Sequence, residues 1–260
     1  MNKASILILA GAAACLCACS RDVGAAKAPA AGEAAAGAGY VTPPSLLSGA
    51  ATAEGVALSG RAQPGARVRL ASPDGRAQVA DADAEGRWRM VLPRLDPPRL
   101  YGLSMAADGR QVQAQGYVLV APGGEVALMR AGSGAQVLWG DGGATRITAL
   151  DFDAEGGAVA SGFAPPEATV TIRADSVQVA EGRSDAAGRF SIAFNQPLAA
   201  GRRLIQASGE EWETQAAFDV APAEPVAGAP YRARDLGDVI RVDWSTPGGG
   251  LQSTLIRKRS

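Results

Sequence analysis

The side chains that could carry chemistry are few and badly placed for it. There is no histidine, the three cysteines are Cys15, Cys17 and Cys19, and the only lysines are Lys3, Lys27 and Lys258. A Ser-His-Asp or Cys-His arrangement has no imidazole to act as base. A Ser-Lys dyad needs a desolvated amine, but Lys27 lies in an Ala- and Gly-rich stretch and Lys258 in a basic tail. The same census leaves zinc without a ligand set. Carboxylates remain. Asp81-Ala82-Asp83-Ala84-Glu85-Gly86 and Asp151-Phe152-Asp153-Ala154-Glu155-Gly156 both read D-x-D-x-E-G, which imitates the first half of a calcium loop. The bidentate Glu that should close such a loop is replaced by Leu92 in one and Gly162 in the other, so both read as polar turns entering strands. No metal, no cofactor and no catalytic residue is expected. Binding is the chemistry left. Trp139, Trp212 and Trp244 sit in stretches less clearly patterned than their surroundings and are the candidate ligand-contact aromatics. Pro247-Gly248-Gly249-Gly250 could cradle an anion through backbone N–H groups, but Leu251–Ile256 after it alternates like a strand, so it reads as a turn.

The elements that must position these residues occur twice. Ser59-Gly60-Arg61-Ala62-Gln63-Pro64-Gly65-Ala66-Arg67-Val68, with Asp83-Ala84-Glu85-Gly86-Arg87-Trp88 downstream, aligns without a gap on Ser161-Gly162-Phe163-Ala164-Pro165-Pro166-Glu167-Ala168-Thr169-Val170 and Asp185-Ala186-Ala187-Gly188-Arg189-Phe190. About ten identities in some thirty positions imply an internal duplication. Within each copy, short runs alternate apolar and polar residues and are separated by turns such as Pro73-Asp74-Gly75 and Asp108-Gly109. Trp88, Met90 and Leu92 alternate with Arg87, Arg89 and Val91, and Phe190, Ile192 and Phe194 repeat the pattern; Trp88 and Phe190 are the expected core keystones. Strands at about 8–12-residue spacing argue an antiparallel sandwich. A fainter repeat, Gly124–Gln136 against Gly237–Gln252, reads as a hairpin after each copy.

The pattern Ser-Gly-x-Ala-x-Pro-Gly-Ala-x-Val followed by Asp-x-x-Gly-x-Trp resembles the bacterial Ig-like repeats of surface proteins. Carboxypeptidase-regulatory-like (transthyretin-like) domains share the Asp-x-x-Gly-x-Phe element, and the second copy leans that way. Either resemblance implies a β-sandwich and no chemistry. The expected fold is therefore all-β: two tandem Ig-like antiparallel β-sandwich domains, each followed by a β-hairpin.

At the N-terminus, Met1-Asn2-Lys3 precedes an apolar run from Ala4 to Ala18, too short to span a bilayer comfortably and of signal-peptide size. Leu16-Cys17-Ala18-Cys19 resembles the lipobox of bacterial lipoproteins. That resemblance implies cleavage after Ala18, a diacylglyceryl group on the Cys19 sulfur and acylation of the new amino group, which together would anchor the chain stably. Ser20, not Asp, follows Cys19, which by the same resemblance implies the outer membrane. Residues 21–40 are Ala- and Gly-rich without apolar periodicity and read as a tether reaching about 25–30 Å.

The expected organisation is a signal peptide over 1–18, lipidated Cys19 and tether over 19–42, domain 1 with its hairpin over 43–140, domain 2 over 146–220, a Pro-rich linker over 221–234, and a C-terminal hairpin with basic tail over 235–260. A net charge of −1 argues against a nucleic-acid partner. The functional expectation is a non-enzymatic, lipid-anchored envelope protein, facing the periplasm or cell surface, that binds an envelope protein or acts as a spacer. A module binding peptidoglycan or surface polysaccharide is the alternative. Tryptophans clustered on a solvent face would favour the glycan; their burial would favour a protein partner or spacer.

Overall fold

The computed structural model describes residues 41–139, 144–224, 226 and 228–258. The expected signal peptide, Cys19 and the expected tether as far as residue 40 lie outside them. Residues 41–260 form one compact unit.

The first copy comprises β1 (Ser45–Ala51), β2 (Gly55–Arg61), β3 (Arg67–Ala71), β4 (Ala77–Asp81), β5 (Arg87–Pro93), β6 (Arg99–Ala107) and β7 (Arg110–Val120), followed by the hairpin β8 (Val126–Arg130) and β9 (Gly134–Val137). The second comprises β10 (Arg146–Asp153), β11 (Ala158–Phe163), β12 (Thr169–Ala174), β13 (Val177–Arg183), β14 (Arg189–Ala193), β15 (Gly201–Ser208) and β16 (Glu213–Val220). A meander of β17 (Tyr231–Asp235), β18 (Val239–Ser245) and β19 (Leu251–Arg257) ends the chain. The described residues are all-β, and every pairing is antiparallel.

Both copies have one topology. In the first, β1-β2-β5 faces β4-β3-β6-β7; in the second, β10-β11-β14 faces β13-β12-β15-β16. This is the Ig-like sandwich order, with the fourth strand moved to the opposite sheet. Even the irregularities repeat. A register shift between Leu46 and Ser48 recurs between Ile147 and Ala149. Gly60 and Gly162 both lie under the keystone ring, where a Cβ would run into the Trp88 or Phe190 side chain and into the Ser45 or Arg146 carbonyl. Trp88 and Phe190 are buried, at 2% and 3% exposure, in separate apolar cores.

The duplicated Asp-x-x-Gly-x motif is a turn. Oδ1 of Asp83 accepts from the backbone N–H of Glu85 at 3.0 Å and Arg87 at 2.7 Å. Oδ1 of Asp185 accepts from Ala187 and Arg189, both at 2.8 Å. Asp153 does the same for Glu155 and Gly157. These carboxylates hold turns by satisfying free N–H groups.

The appended hairpins differ in attachment. β8-β9 extends the sheet of the first copy beyond β7, whereas β19-β18-β17 extends the sheet of the second beyond β10. The faint repeat therefore gives hairpins in non-equivalent places, and the C-terminal element is a three-stranded meander. Its first strand, β17, starts inside the segment expected as linker: the three prolines before it end by Pro230, and Tyr231–Asp235 is free to pair with β18.

Both enlarged sheets contribute to a third apolar core. Leu119, Ala127, Met129, Val137 and Trp139 of the first copy and its hairpin pack with Ala149, Phe163, Ile240, Val242, Trp244 and Ile256. β10 also lies between two cores. Leu150 and Phe152 belong to the second sandwich and Ala149 to the seam, so the strand is buried on both faces and its sequence does not alternate. That is why alternation alone does not mark a strand over 146–153 in the sequence.

Candidate functional site

The seam between the sandwiches takes in two of the three tryptophans singled out for binding. Trp244 is 1% exposed and Trp139 6%. Both belong to the seam core, and neither offers a ring face to solvent. Trp244 alternates with Ile240 and Val242 on β18, while Arg241 and Asp243 project from the opposite face and are also buried. Trp212 lies in the β15-β16 turn, half-buried against the second core, with Gly209 beside its indole. The three tryptophans thus form no shared solvent-facing platform.

Trp244 begins a polar chain through the seam. Its Nε1–H donates to Thr254 Oγ1 at 3.1 Å, and the Thr254 hydroxyl donates to Asp151 Oδ1 at 2.6 Å. Gln252 Nε2 donates to the same oxygen at 2.9 Å. Asp151 Oδ2 accepts the backbone N–H of Ala135, on β9, at 2.8 Å. Gln252 Oε1 accepts the Gly132 N–H at 3.2 Å. Asp151 and Gln252 of the second sandwich therefore latch the hairpin appended to the first. Burial pushes the Asp151 carboxyl up to about 6, against the opposing pull of the hydrogen bonds from Thr254, Ala135 and Gln252. One D-x-D-x-E-G motif thus has its first carboxylate inside the protein, not on an ion-binding loop.

A second buried polar cluster lies on the other face of β18. Arg241 Nε donates to Asp243 Oδ1 at 2.9 Å, and Ser253 Oγ donates to that oxygen at 2.6 Å. Arg241 Nη2 donates to the carbonyls of Ala221 at 2.8 Å and Pro222 at 3.1 Å. The pair ties down the chain leaving β16. Removing Asp243 would strand the buried Arg241 charge, and removing Arg241 would leave Asp243 with Arg234 at 3.3 Å as its remaining cation; either loss is destabilising.

A groove of about 490 Å³ opens beside the seam. Gln113, Gln115 and Tyr117 of β7 line it, opposite Trp244 and Pro247. Tyr117 meets Trp244 edge to face, centroids 5.8 Å apart at 76°. Gly116, at φ 96°, interrupts the strand, and the β6-β7 register shifts there. Gln113 and Gln115 are exposed there, while Tyr117 is half-buried against the seam core. The Gly before Tyr117 is the sequence signal for a bulge at this point of the strand.

No family model and no curated protein matches the chain. Among solved structures, it is similar to the BSP domain of a biofilm-associated protein, at 16% identity and a TM-score of 0.24, over 70% of this chain and 30% of that one. The central fibronectin-III array of RIM-binding protein is similar at 12% identity and a TM-score of 0.27, over 84% of this chain and 89% of that one. A titin fragment is similar at 13% identity and a TM-score of 0.22, with the same coverage.

Proposed function

We propose that this is a non-enzymatic envelope lipoprotein, anchored in the outer membrane through Cys19, whose two fused sandwiches serve as a rigid spacer and protein-binding module facing the periplasm or cell surface. The seam core carries this reading. Two domains strung on a loose linker would vary the distance between their ends, whereas a shared apolar core with a buried polar latch holds it. The anchor rests on the resemblance of Leu16–Cys19 to a lipobox and on the apolar run before it. Metabolic labelling with a fatty acid tests it: Cys19→Ala should lose the label and leave the membrane fraction, and unchanged labelling and attachment would refute it. Spin labels on the two sandwiches test the spacer, which requires a single narrow distance distribution.

A second reading, glycan binding, is favoured by the groove beside Tyr117. Two exposed amide side chains beside a half-buried aromatic ring in one groove suit a sugar, and the volume lies in the range of small-ligand sites. Co-sedimentation of the compact unit 41–260 with purified peptidoglycan, saturable and lost in Tyr117→Ala, would move the assignment to a wall-binding module. Absence of co-sedimentation removes the glycan reading and leaves the protein partner to be found by cross-linking in the intact envelope.

A further inference from the structure

On the other side of β8-β9, a cavity of about 160 Å³ lies between that hairpin and the β10-β11-β14 sheet. Arg130 and Arg189 line it, and the Nε of each is buried with no hydrogen-bond partner among the described residues. Ser161 and Ser191, with hydroxyls 2.9 Å apart, also line it. Phe163 provides an apolar wall, flanked across the strands by Arg146 and Arg189, whose guanidiniums lie 4.6 and 5.8 Å from the ring centroid. The lining carboxylate is Asp185, and its Oδ1 already accepts two backbone N–H groups.

The duplication supplies an internal comparison. Arg87 occupies in the first copy the place of Arg189 in the second: each follows the Asp-x-x-Gly turn and precedes the keystone aromatic. Arg87 is neutralised by Asp83 at 2.8 Å and Glu85 at 2.7 Å. In the second copy Ala187 stands where Glu85 stands, and no ion pair within 4.0 Å joins Arg189 to Asp185. The chain's own acceptor has been lost at the position where Arg130, from the other sandwich, brings a second guanidinium to the same cavity.

We propose that this cavity binds a small oxyanion, a carboxylate, phosphate or sulfate group, between Arg130 and Arg189. Neither guanidinium is taken up by a hydrogen bond or ion pair among the described residues, and an anion with two oxygens in the cavity that both side chains line can answer the two together. Of the two serine hydroxyls, the one that accepts in their mutual hydrogen bond can donate to a remaining oxygen. Because the walls come from both sandwiches, bound anion would strengthen the seam.

The test uses the full chain purified in detergent, titrated with inorganic phosphate, sulfate or glucuronate at ionic strength held constant with chloride. Thermal unfolding is followed alongside equilibrium dialysis of the labelled anion. The proposal expects saturable binding and a midpoint that rises with the logarithm of anion concentration. Ala187→Glu, at an exposed position, should rebuild the ion pair of the first copy and reduce anion binding at least tenfold while retaining both arginines; Arg130→Gln should do the same from the other wall. Tighter binding of glucuronate would identify a sugar carboxylate as the ligand, and tighter binding of phosphate a phosphate group. No saturable binding of any of the three, or equal binding in Ala187→Glu and the parent, overturns the proposal.

Discussion

Asp151 should make this protein more stable in mild acid than at neutrality, the reverse of the usual behaviour of carboxylates. Its folded carboxyl is pushed up to about 6 from an ordinary 3.8, mainly by burial. Between those values the folded state holds a proton that the unfolded state has released. Stability therefore rises as pH falls through 6 and levels off near 4, where both states are protonated. The difference corresponds to about 3 kcal/mol, at about 1.4 kcal/mol for each tenfold change in proton affinity. The geometry permits the proton: the Thr254 hydroxyl is 2.6 Å from Oδ1 and can reverse from donor to acceptor. Urea unfolding at intervals from pH 7.5 to 4 measures this, with Asp151→Asn as the comparison. The amide does not titrate, so the variant's curve should be flat where the parent's rises. At pH 4 it should also lie below the parent's by about 1–3 kcal/mol, because an amide cannot serve all three donors from Thr254, Gln252 and Ala135. A parent-to-variant difference that stays constant over this pH range would refute the reasoning. Below pH 4 the trend reverses. Asp83, held low mainly by the Arg87 side chain, Asp175, mainly by the Leu204 N–H, and Asp235, mainly by Lys258, contribute stability that is lost as they protonate.

Trp244→Ala removes the largest fully buried side chain of the seam and the donor to Thr254. It should lower stability by about 3–5 kcal/mol and split one calorimetric transition into two, whereas a single transition in the variant would show the sandwiches coupled by something other than this core. Gly60→Ala and Gly162→Ala place a Cβ against the same carbonyl and ring in each copy and should each destabilise by about 1–3 kcal/mol; a neutral result in either, by chemical denaturation, would contradict the tight approach of β1 to β2 or β10 to β11. Arg241→Leu leaves Asp243 buried without its main partner and should destabilise by about 3–5 kcal/mol, while Arg241→Leu with Asp243→Ala should recover part of the loss in the same assay.

What was legible in the sequence is what alternates. β3, with its arginines outward and Val68 and Leu70 inward, and β5, with Trp88, Met90 and Leu92 inward, face solvent on one side and a core on the other. The duplicated motif revealed the repeated topology because the turn Asp and the Gly under the keystone ring are constrained by backbone contacts at those positions. The seam was illegible for the converse reason. β10 and β11 are buried on both faces, so their sequences lack a clear period of two, and β18 alternates, but Arg241 and Asp243 on its polar face are buried as well. The stretch around Trp244 was expected to expose a ring, but Ile240, Val242 and Trp244 alternate onto the seam core and the polar residues between them are buried too. Composition added to the difficulty, since seam strands carry Asp151, Arg241, Asp243, Gln252 and Thr254, which look like surface residues until their partners are known.

The appended strands explain how a tandem repeat became one body. A sandwich ending at its seventh strand leaves open sheet edges, where unpaired N–H and C=O groups invite association with other chains. Here β8-β9 covers the β7 edge of the first copy, and β19 covers the β10 edge of the second. Because the two additions take opposite ends of the duplicated unit, the widened sheets can meet, with Met129 and Val137 from one set against Ile240, Val242 and Trp244 from the other. Had both hairpins extended the same edge, the second copy would have lacked the β10-β19 pairing that brings Gln252 and Thr254 beside Asp151. The latch to Ala135 depends on both additions at once: the acceptor is held by β19 and the donor lies on β9. Deletion of β17–β19 should therefore free the first hairpin as well as uncover the second sandwich, and hydrogen exchange at the Ala135 amide would register the loss directly.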